Sequence, residues 1–176
     1  RAIVLLVVLN GRPISEGSLS KAYAKLIAAP GGQAWIGSMD FISYIRLLTG
    51  SFLTRSVNSR ASATLNLFNP SIGDYVLRRY ARDSNSLQQA LLSLLSLTAL
   101  NTLESLHKAN RSSQPMLEEI ARTLMINAAT NRFFVFDIHY VSSLFRMILQ
   151  QATQEPLINT ALKSAVIYVF ENGLRA

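Results

Sequence analysis

The sequence predicts a mainly α-helical protein in which three helices and a β-hairpin precede an α-helical array or solenoid. Apolar residues recur at helical spacing through most of the chain. Two short alternating segments are typical of strands, and clusters of Gly, Pro, Asn and Ser separate the elements. The 176 residues suffice for two domains, and the change in composition after Asp83 predicts domains at 1–83 and 84–176.

The first half opens with a continuous apolar segment at 2–9, and periodicity alone does not decide whether it is a buried strand or a buried helix. Two further helices are predicted, with Ser18 and Ser38 as their N-caps. The apolar stripe of the helix after Ser38 is expected to point inward and consists of Phe41, Ile42, Ile45 and Leu48. Strands are predicted at Phe52–Ser56 and Ala63–Phe68, with a turn or wing at 58–62.

A strand pattern ends at Asn69 and a helix pattern begins at once. Asn is a favoured N-cap, and Pro suits the first helical position because its missing N–H is not needed there. We expect Asp74 to lie in the first turns, at the positive end of the helix dipole. The predicted structural corner therefore consists of Asn69, Pro70, Ser71 and Asp74.

This junction, from Leu67 to Tyr75, resembles the one that closes the winged helix of bacterial STAND-type NTPases, signal-transducing proteins of the AAA-like class. The family pattern is roughly Phe-His-Asn-Pro-Ser, an apolar residue, any residue, then Asp and Phe or Tyr. Leu67 and Phe68 stand where the family has Phe and His. The resemblance implies a winged helix whose first helix is the segment 2–9, followed by a helical repeat region that senses a partner.

The function that this resemblance implies is regulatory and non-catalytic, in bacterial stress signalling or antiviral defence, through protein–protein contacts. It implies an ATPase core, N-terminal to this sequence, as the first partner. Because Arg1 is not a start methionine, we expect the chain to be an excised piece of a longer protein. The other partners that we expect are another protein or trigger and a second copy of the chain. We expect no association with a membrane.

The sequence from 84 to 176 predicts four helices. Its uncharged stretch from Ser84 to Leu103 has the length of a membrane span, but amide and hydroxyl side chains interrupt it, which favours a buried core helix. Pro115 is expected to open the next helix, with Glu118 and Glu119 in its first turn and Leu117, Ile120, Ala121 and Leu124 as its stripe. The third helix is marked by Ile138, Val141, Phe145, Ile148 and Ala152.

Pro156 is expected to open the last helix, with Leu157, Ala161, Ala165 and Tyr168 pointing inward. The remaining apolar residues of this helix exceed one stripe: Val166, Ile167, Val169 and Phe170. An interrupted solenoid exposes the face that its next neighbour would cover. We therefore expect self-association through this end, and a parent protein that continues past Ala176.

The sequence carries no enzyme motif. It lacks both the Gly-x-x-x-x-Gly-Lys-Ser/Thr loop and the Gly-x-Gly-x-x-Gly pattern that bind nucleotide phosphates. It contains no Cys, and its two histidines, His107 and His139, lack the spacing of metal ligands. We predict no catalytic residue, no cofactor and no metal in this chain, and no NTPase activity. A cytoplasmic location is the default for a protein without Cys and without a signal-peptide pattern.

The net charge of +7 allows either an acidic protein partner or nucleic acid. The outer positions of the predicted third helix are chiefly Asp40, Ser43 and Arg46, which form a poor surface for base contacts. Tyr44 and Leu47 are expected to stay partly exposed, which suits a protein contact better. The candidate interaction residues are Tyr44, Arg46, Leu47, Arg55, Arg60, Arg78, Arg79 and Arg82. Two alternatives remain open: a DNA-binding winged-helix regulator and a structural helical scaffold. A basic stripe of Arg46, Arg55, Arg60 and Arg78 on one face would support the DNA-binding regulator.

Overall fold

The computed structural model describes residues 1–57, 62–109, 113–133, 136–149 and 156–173. Over these ranges the protein is mainly α-helical with a small antiparallel sheet, and it divides into two compact units, Arg1–Leu94 and Leu95–Ala176. The first unit contains α1 (Ala2–Asn10), β1 (Ile14–Ser15), α2 (Glu16–Ala28), a 3-10 turn (Gly32–Trp35), α3 (Phe41–Leu48), β2 (Leu53–Val57), β3 (Ala63–Leu67), α4 (Pro70–Tyr80) and α5 (Ser84–Leu94). The second unit contains α6 (Leu97–Lys108), α7 (Gln114–Thr130), α8 (Ile138–Leu149) and α9 (Pro156–Gly173).

The helix α1 is the centre of the first unit. All of its residues are buried, and it contacts α2, α4, α5 and β3. A helix that is covered on every side needs no polar face, which is why the segment 2–9 shows no periodicity. The segment is thus a helix, and Gly11 ends it with a left-handed φ of 66°.

The N-caps of α2 and α3 differ from the predicted ones. Ser15 caps α2, and its Oγ accepts a hydrogen bond from the backbone N–H of Ser18 at 3.1 Å, so that Ser18 lies inside the first turn. Asp40 caps α3 in place of Ser38, because its carboxylate accepts the backbone N–H of Ser43 at 2.8 Å and the Ser43 hydroxyl at 3.0 Å. These bonds to Ser43 hold the pKa of Asp40 below its usual value.

The stripe predicted for α3 is only partly buried. Ile45 is buried, Phe41 and Leu48 are half-buried, and Ile42 is 45% exposed. The ring of Phe41 lies 5.7 Å from that of Tyr23, which is how this end of α3 packs on α2. Ile45 is the one fully buried residue of α3, and the prediction that Ile42 points inward was wrong.

The sheet has the order β1-β3-β2, with antiparallel pairing throughout. Leu53 pairs with Leu67 and Ile14 with Leu65, and Leu53, Ile14 and Leu65 are buried. The two strands of the hairpin lie within one residue of their predicted bounds, whereas the two-residue strand β1 was not predicted. Most of the predicted turn at 58–62 lies outside the described residues.

The corner between β3 and α4 follows from Asn69 and Pro70. Asn69 is the N-cap, its side-chain oxygen accepts the backbone N–H of Ser71 at 2.9 Å, and Pro70 is the first helical residue. Asp74 is the fifth residue of α4 and lies in the second turn, within the predicted first turns, while the first turn itself contains no acidic residue.

The first unit extends to Leu94 because α5 packs on α1 and α2. The predicted boundary after Asp83 therefore differs from the observed one. The uncharged stretch from Ser84 to Leu103 is two helices, not one: Leu95 has a positive φ of 48°, and Ser96 caps α6 by accepting the backbone N–H of Ala99 at 3.2 Å. In the part of the chain that the structure describes, no helix has the length and apolar character needed to cross a bilayer.

In the second unit, α7 packs against α6, α8 and α9, and the stripe predicted for α7 is buried. Glu118 and Glu119 lie in the second turn of α7, because the helix starts at Gln114, and this corrects the prediction of a first-turn acidic pair. In α8, Val141 and Ile148 are buried as predicted, but the other buried residues are Tyr140, Leu144 and Met147. Ala152 and the side chain of Leu157 lie outside the described residues.

Candidate interaction surfaces

A cavity of about 410 Å³ opens in the first unit beside α3. Its lining includes Trp35, Ile36, Tyr44, Leu47 and Leu48, which we call the α3 surface. Leu47 is 60% exposed and Ile36 is 51% exposed, while Tyr44 and Leu48 are half-buried. The structure thus brings the predicted residues Tyr44 and Leu47 together at a concave site whose lining also includes Arg1 and whose larger, apolar part can receive an apolar side chain.

The wall of this cavity is fixed by two close contacts. The Tyr44 hydroxyl lies where a Cβ atom would be at position 37, so only glycine fits at Gly37 without moving that ring. The Trp35 indole Nε1 donates a hydrogen bond to Gln89 Oε1 at 3.1 Å, and its ring centre lies 5.9 Å from that of Tyr80. Burial, and secondly the nearby Tyr44 hydroxyl, raise the pKa of Tyr23, which also lines the cavity.

Sequence analysis missed the contributions of Trp35 and Ile36. Both lie in the segment between Pro30 and Asp40, where the sequence analysis predicted the N-cap Ser38 but no interaction residue. The available signal was the presence of three large apolar residues, Trp35, Ile36 and Met39, in a loop. Exposed apolar residues in a loop are a mark of an interaction site.

Arg55 is engaged within the first unit. Its Nε lies 2.9 Å from Glu16 Oε2, which joins β2 to the start of α2. A second cavity, of about 510 Å³, is lined by this pair and by Phe41 and Ile42. Arg55 is therefore less available for a partner than the sequence predicts, and Arg60 lies outside the described residues.

The remaining candidate arginines are exposed. Arg78 and Arg79 lie in the last turn of α4 and Arg82 follows the helix, and helical spacing places Arg78 near both Arg82 and the 65% exposed Tyr75. Arg46 is exposed on α3 beside Leu47, but it does not line the cavity. Asp74 lies on the same helix as the α4 arginines and reduces the net charge of that surface.

The positive charge of the chain belongs almost entirely to the first unit. Arg1–Leu94 contains ten Lys and Arg residues and four Asp and Glu residues, whereas the second unit contains seven basic and six acidic residues. Glu16 is paired with Arg55, Asp40 caps α3, and Asp83 Oδ1 accepts the backbone N–H of Ser86 at 3.0 Å. The first unit is thus suited to an acidic partner.

The second unit has a cavity of about 510 Å³ between the end of α7 and α9. Arg132, Ile167 and Glu171 line it. The wall is held by Tyr168, whose hydroxyl donates to the Phe136 carbonyl at 2.9 Å and whose ring centre lies 5.4 Å from that of Phe133.

The two histidines do not form a metal site with carboxylates in the described ranges, where no group of three or more His, Asp or Glu could hold a metal ion. His139 is exposed, and its backbone N–H is bound by Asp137 Oδ1 at 2.7 Å. Two buried polar atoms have no hydrogen-bond partner among the described residues: His107 Nδ1 and the Tyr140 hydroxyl. Comparison with family models, curated proteins and solved structures gave no match for this chain.

Proposed function

We propose that the first unit is a winged helix that binds another protein through the α3 surface. The order of helices and strands around the sheet β1-β3-β2, with α3 directly before the hairpin, supports the winged-helix interpretation. The observation that carries the binding proposal is the pairing of a 60% exposed Leu47 with a cavity whose wall is already formed. A preformed site loses little entropy when a partner side chain enters it.

In the proposed mechanism, the chain is a non-catalytic regulatory segment of a STAND-type NTPase. The junction from Leu67 to Tyr75 supports this assignment by its resemblance to that family. Docking on the α3 surface favours one of two states of the parent protein, and a trigger that binds elsewhere favours the other. Regulation then depends on the difference in binding free energy between the two states and requires no catalytic residue.

DNA binding is the second candidate, because the first unit carries ten of the seventeen Lys and Arg residues. Two observations favour protein instead. Arg55 is paired with Glu16, and the exposed side of α3 presents Ile42 and Leu47 beside Arg46. A recognition helix needs several groups that donate hydrogen bonds to base edges, and apolar side chains do not supply them.

The test is site-specific photo-cross-linking in the cell of origin, with a benzophenone amino acid at position 47. The matched control carries it in place of Lys25, which is exposed on α2 and does not line the cavity. We expect a protein product at position 47 and none at position 25. The STAND assignment further requires that the cross-linked peptide belongs to a polypeptide with a phosphate-binding loop.

Two outcomes would separate the parts of this proposal. A product with a protein that lacks a nucleotide-binding loop would retain the docking site and overturn the STAND assignment. A yield at position 47 no greater than at position 25, or a product with nucleic acid alone, would overturn docking itself.

A further inference from the structure

The helix α9 has one buried side and one apolar side that is exposed. Ile158, Ala161 and Ala165 are buried where α9 packs on α7 and α8. Val166, Ile167 and Phe170 are 50%, 56% and 67% exposed. Solvent-facing positions of a helix are usually polar. Three large apolar residues within five positions therefore indicate a surface that another molecule covers.

Two exposed charges flank this apolar surface symmetrically. Lys163 precedes Ile167 by four residues, and Glu171 follows it by four. Residues four apart form a continuous ridge along a helix, so Lys163, Ile167 and Glu171 lie on one ridge. We call the set Lys163, Val166, Ile167, Phe170 and Glu171 the α9 face, and all five residues are exposed.

The order of charges on this ridge is self-complementary. When two copies of α9 lie antiparallel across a two-fold axis at Ile167, Lys163 of each copy lies opposite Glu171 of the other. A two-fold interface requires such reciprocity, in which residue i contacts j and j contacts i. Two ion pairs then flank a centre made of Ile167 and Phe170.

We propose that a second copy of this chain covers the α9 face, in an antiparallel α9 pair with reciprocal Lys163–Glu171 contacts. Neither charge forms an ion pair with another residue that the structure describes. The second unit is also nearly neutral, with seven basic and six acidic residues, so that two copies meet there with little repulsion. The first unit, with an excess of six positive charges, would oppose such an association.

The size of the contact sets the expected strength. A single pair of helices lies at the low end of specific interfaces, which bury about 1,200 Å² or more in total. We therefore expect a weak dimer that forms reversibly with rising concentration. This proposal concerns the second unit alone and does not depend on the function proposed for the first.

The test is sedimentation velocity of the whole chain with three charge variants. Lys163→Glu places two glutamates opposite each other, and Glu171→Lys places two lysines opposite each other, so each variant should raise the dissociation constant about ten-fold or more. The double variant Lys163→Glu/Glu171→Lys should dimerise as the original chain does. A mixture of the two single variants should form a heterodimer, because every contact is then between opposite charges.

The control is Glu119→Lys, a charge reversal at an exposed position of α7, which should leave the dimer unchanged. Ile167→Ser should weaken the dimer without changing the circular dichroism spectrum, since position 167 is exposed in the monomer. A chain that is monomeric at high micromolar concentration would overturn the proposal. So would a dimer that neither the double variant nor the mixture restores, because the copies would then associate through another surface.

Discussion

Trp35 and Gln89 are joined by a hydrogen bond of 3.1 Å from the indole Nε1 to the amide Oε1, across 54 positions of sequence. The other end of the same amide donates to the Pro30 carbonyl, also at 3.1 Å. Gln89 thus uses both ends of its side chain to hold the segment 30–35 against α5. Because Trp35 lines the cavity beside α3, this amide fixes one wall of the α3 surface.

Replacing Gln89 by Ala should lower the free energy of unfolding by about 1–2 kcal/mol, since the partly buried indole N–H and the Pro30 carbonyl both lose a partner. Gln88→Ala is the matched control, with the same residue type at the neighbouring position of α5, and we expect a change below about 0.5 kcal/mol. Urea unfolding followed by Trp35 fluorescence measures both. Equal effects of the two substitutions would mean that the Trp35–Gln89 bond contributes no stability.

Two glycines of the first unit should respond to alanine in opposite directions. A Cβ at Gly32 would collide with the backbone carbonyls of Leu26 and Ile27, whereas a Cβ at Gly17 has nothing within 4 Å. Gly32→Ala should therefore destabilise by more than about 1 kcal/mol, and Gly17→Ala should stabilise α2 by roughly 0.5–1 kcal/mol. Thermal unfolding checks the pair, and a stabilising Gly32→Ala would show that the close approach at position 32 is relieved by a small backbone shift.

The corner at Asn69 should behave as a helix cap. Asn69→Ala removes the acceptor of the Ser71 N–H bond and should cost about 1 kcal/mol of stability. Asn69→Asp keeps an acceptor of equal capping strength and should cost much less. If Ala and Asp gave the same stability in urea unfolding while one of them abolished partner binding, Asn69 would be a contact residue and not a cap.

The parts of this fold that sequence predicts well are local. The corner depends on Asn69 and Pro70, which are adjacent, and the buried stripe of α7 follows the spacing from Leu117 to Leu124. The caps show the limit of such reasoning. Ser18 and Ser38 have the right chemistry, but Ser15 and Asp40 lie where the chain leaves its extended geometry, and pairing of β1 with β3 sets that point for Ser15.

The parts that escaped prediction depend on distant contacts. The boundary lies after Leu94 because α5 packs on α1 and α2, which composition does not reveal. The partial exposure of Tyr44 and Leu47 could be predicted from helical spacing alone. The cavity beside them could not, because its walls come from Trp35, held by Gln89, and from the close approach of Tyr44 to Gly37.

Binding to DNA should be weak, non-specific and sensitive to salt. The excess of positive charge in the first unit will retain duplex DNA at low ionic strength, and the affinity will fall steeply as counterions compete. Arg46→Ala should weaken this retention no more than Lys21→Ala, since Lys21 is also an exposed cation, on α2. Fluorescence anisotropy on random and selected duplexes measures this binding. A sequence preference near physiological salt that Arg46→Ala removes and Lys21→Ala does not would make DNA binding the favoured function.

The last prediction concerns Tyr140, whose hydroxyl is buried without a partner among the described residues and whose ring stacks on Phe136 at 5.4 Å. Burial raises its pKa above the usual value. As pH rises past about 10, the unfolded chain loses this proton while the folded chain keeps it, so the free energy of unfolding falls. Tyr140→Phe should be neutral or stabilising at pH 8 and should lose less stability by pH 10.5 than the original chain does. Urea unfolding at both pH values tests this, and identical alkaline losses would mean that the Tyr140 hydroxyl is accessible to solvent in the folded protein.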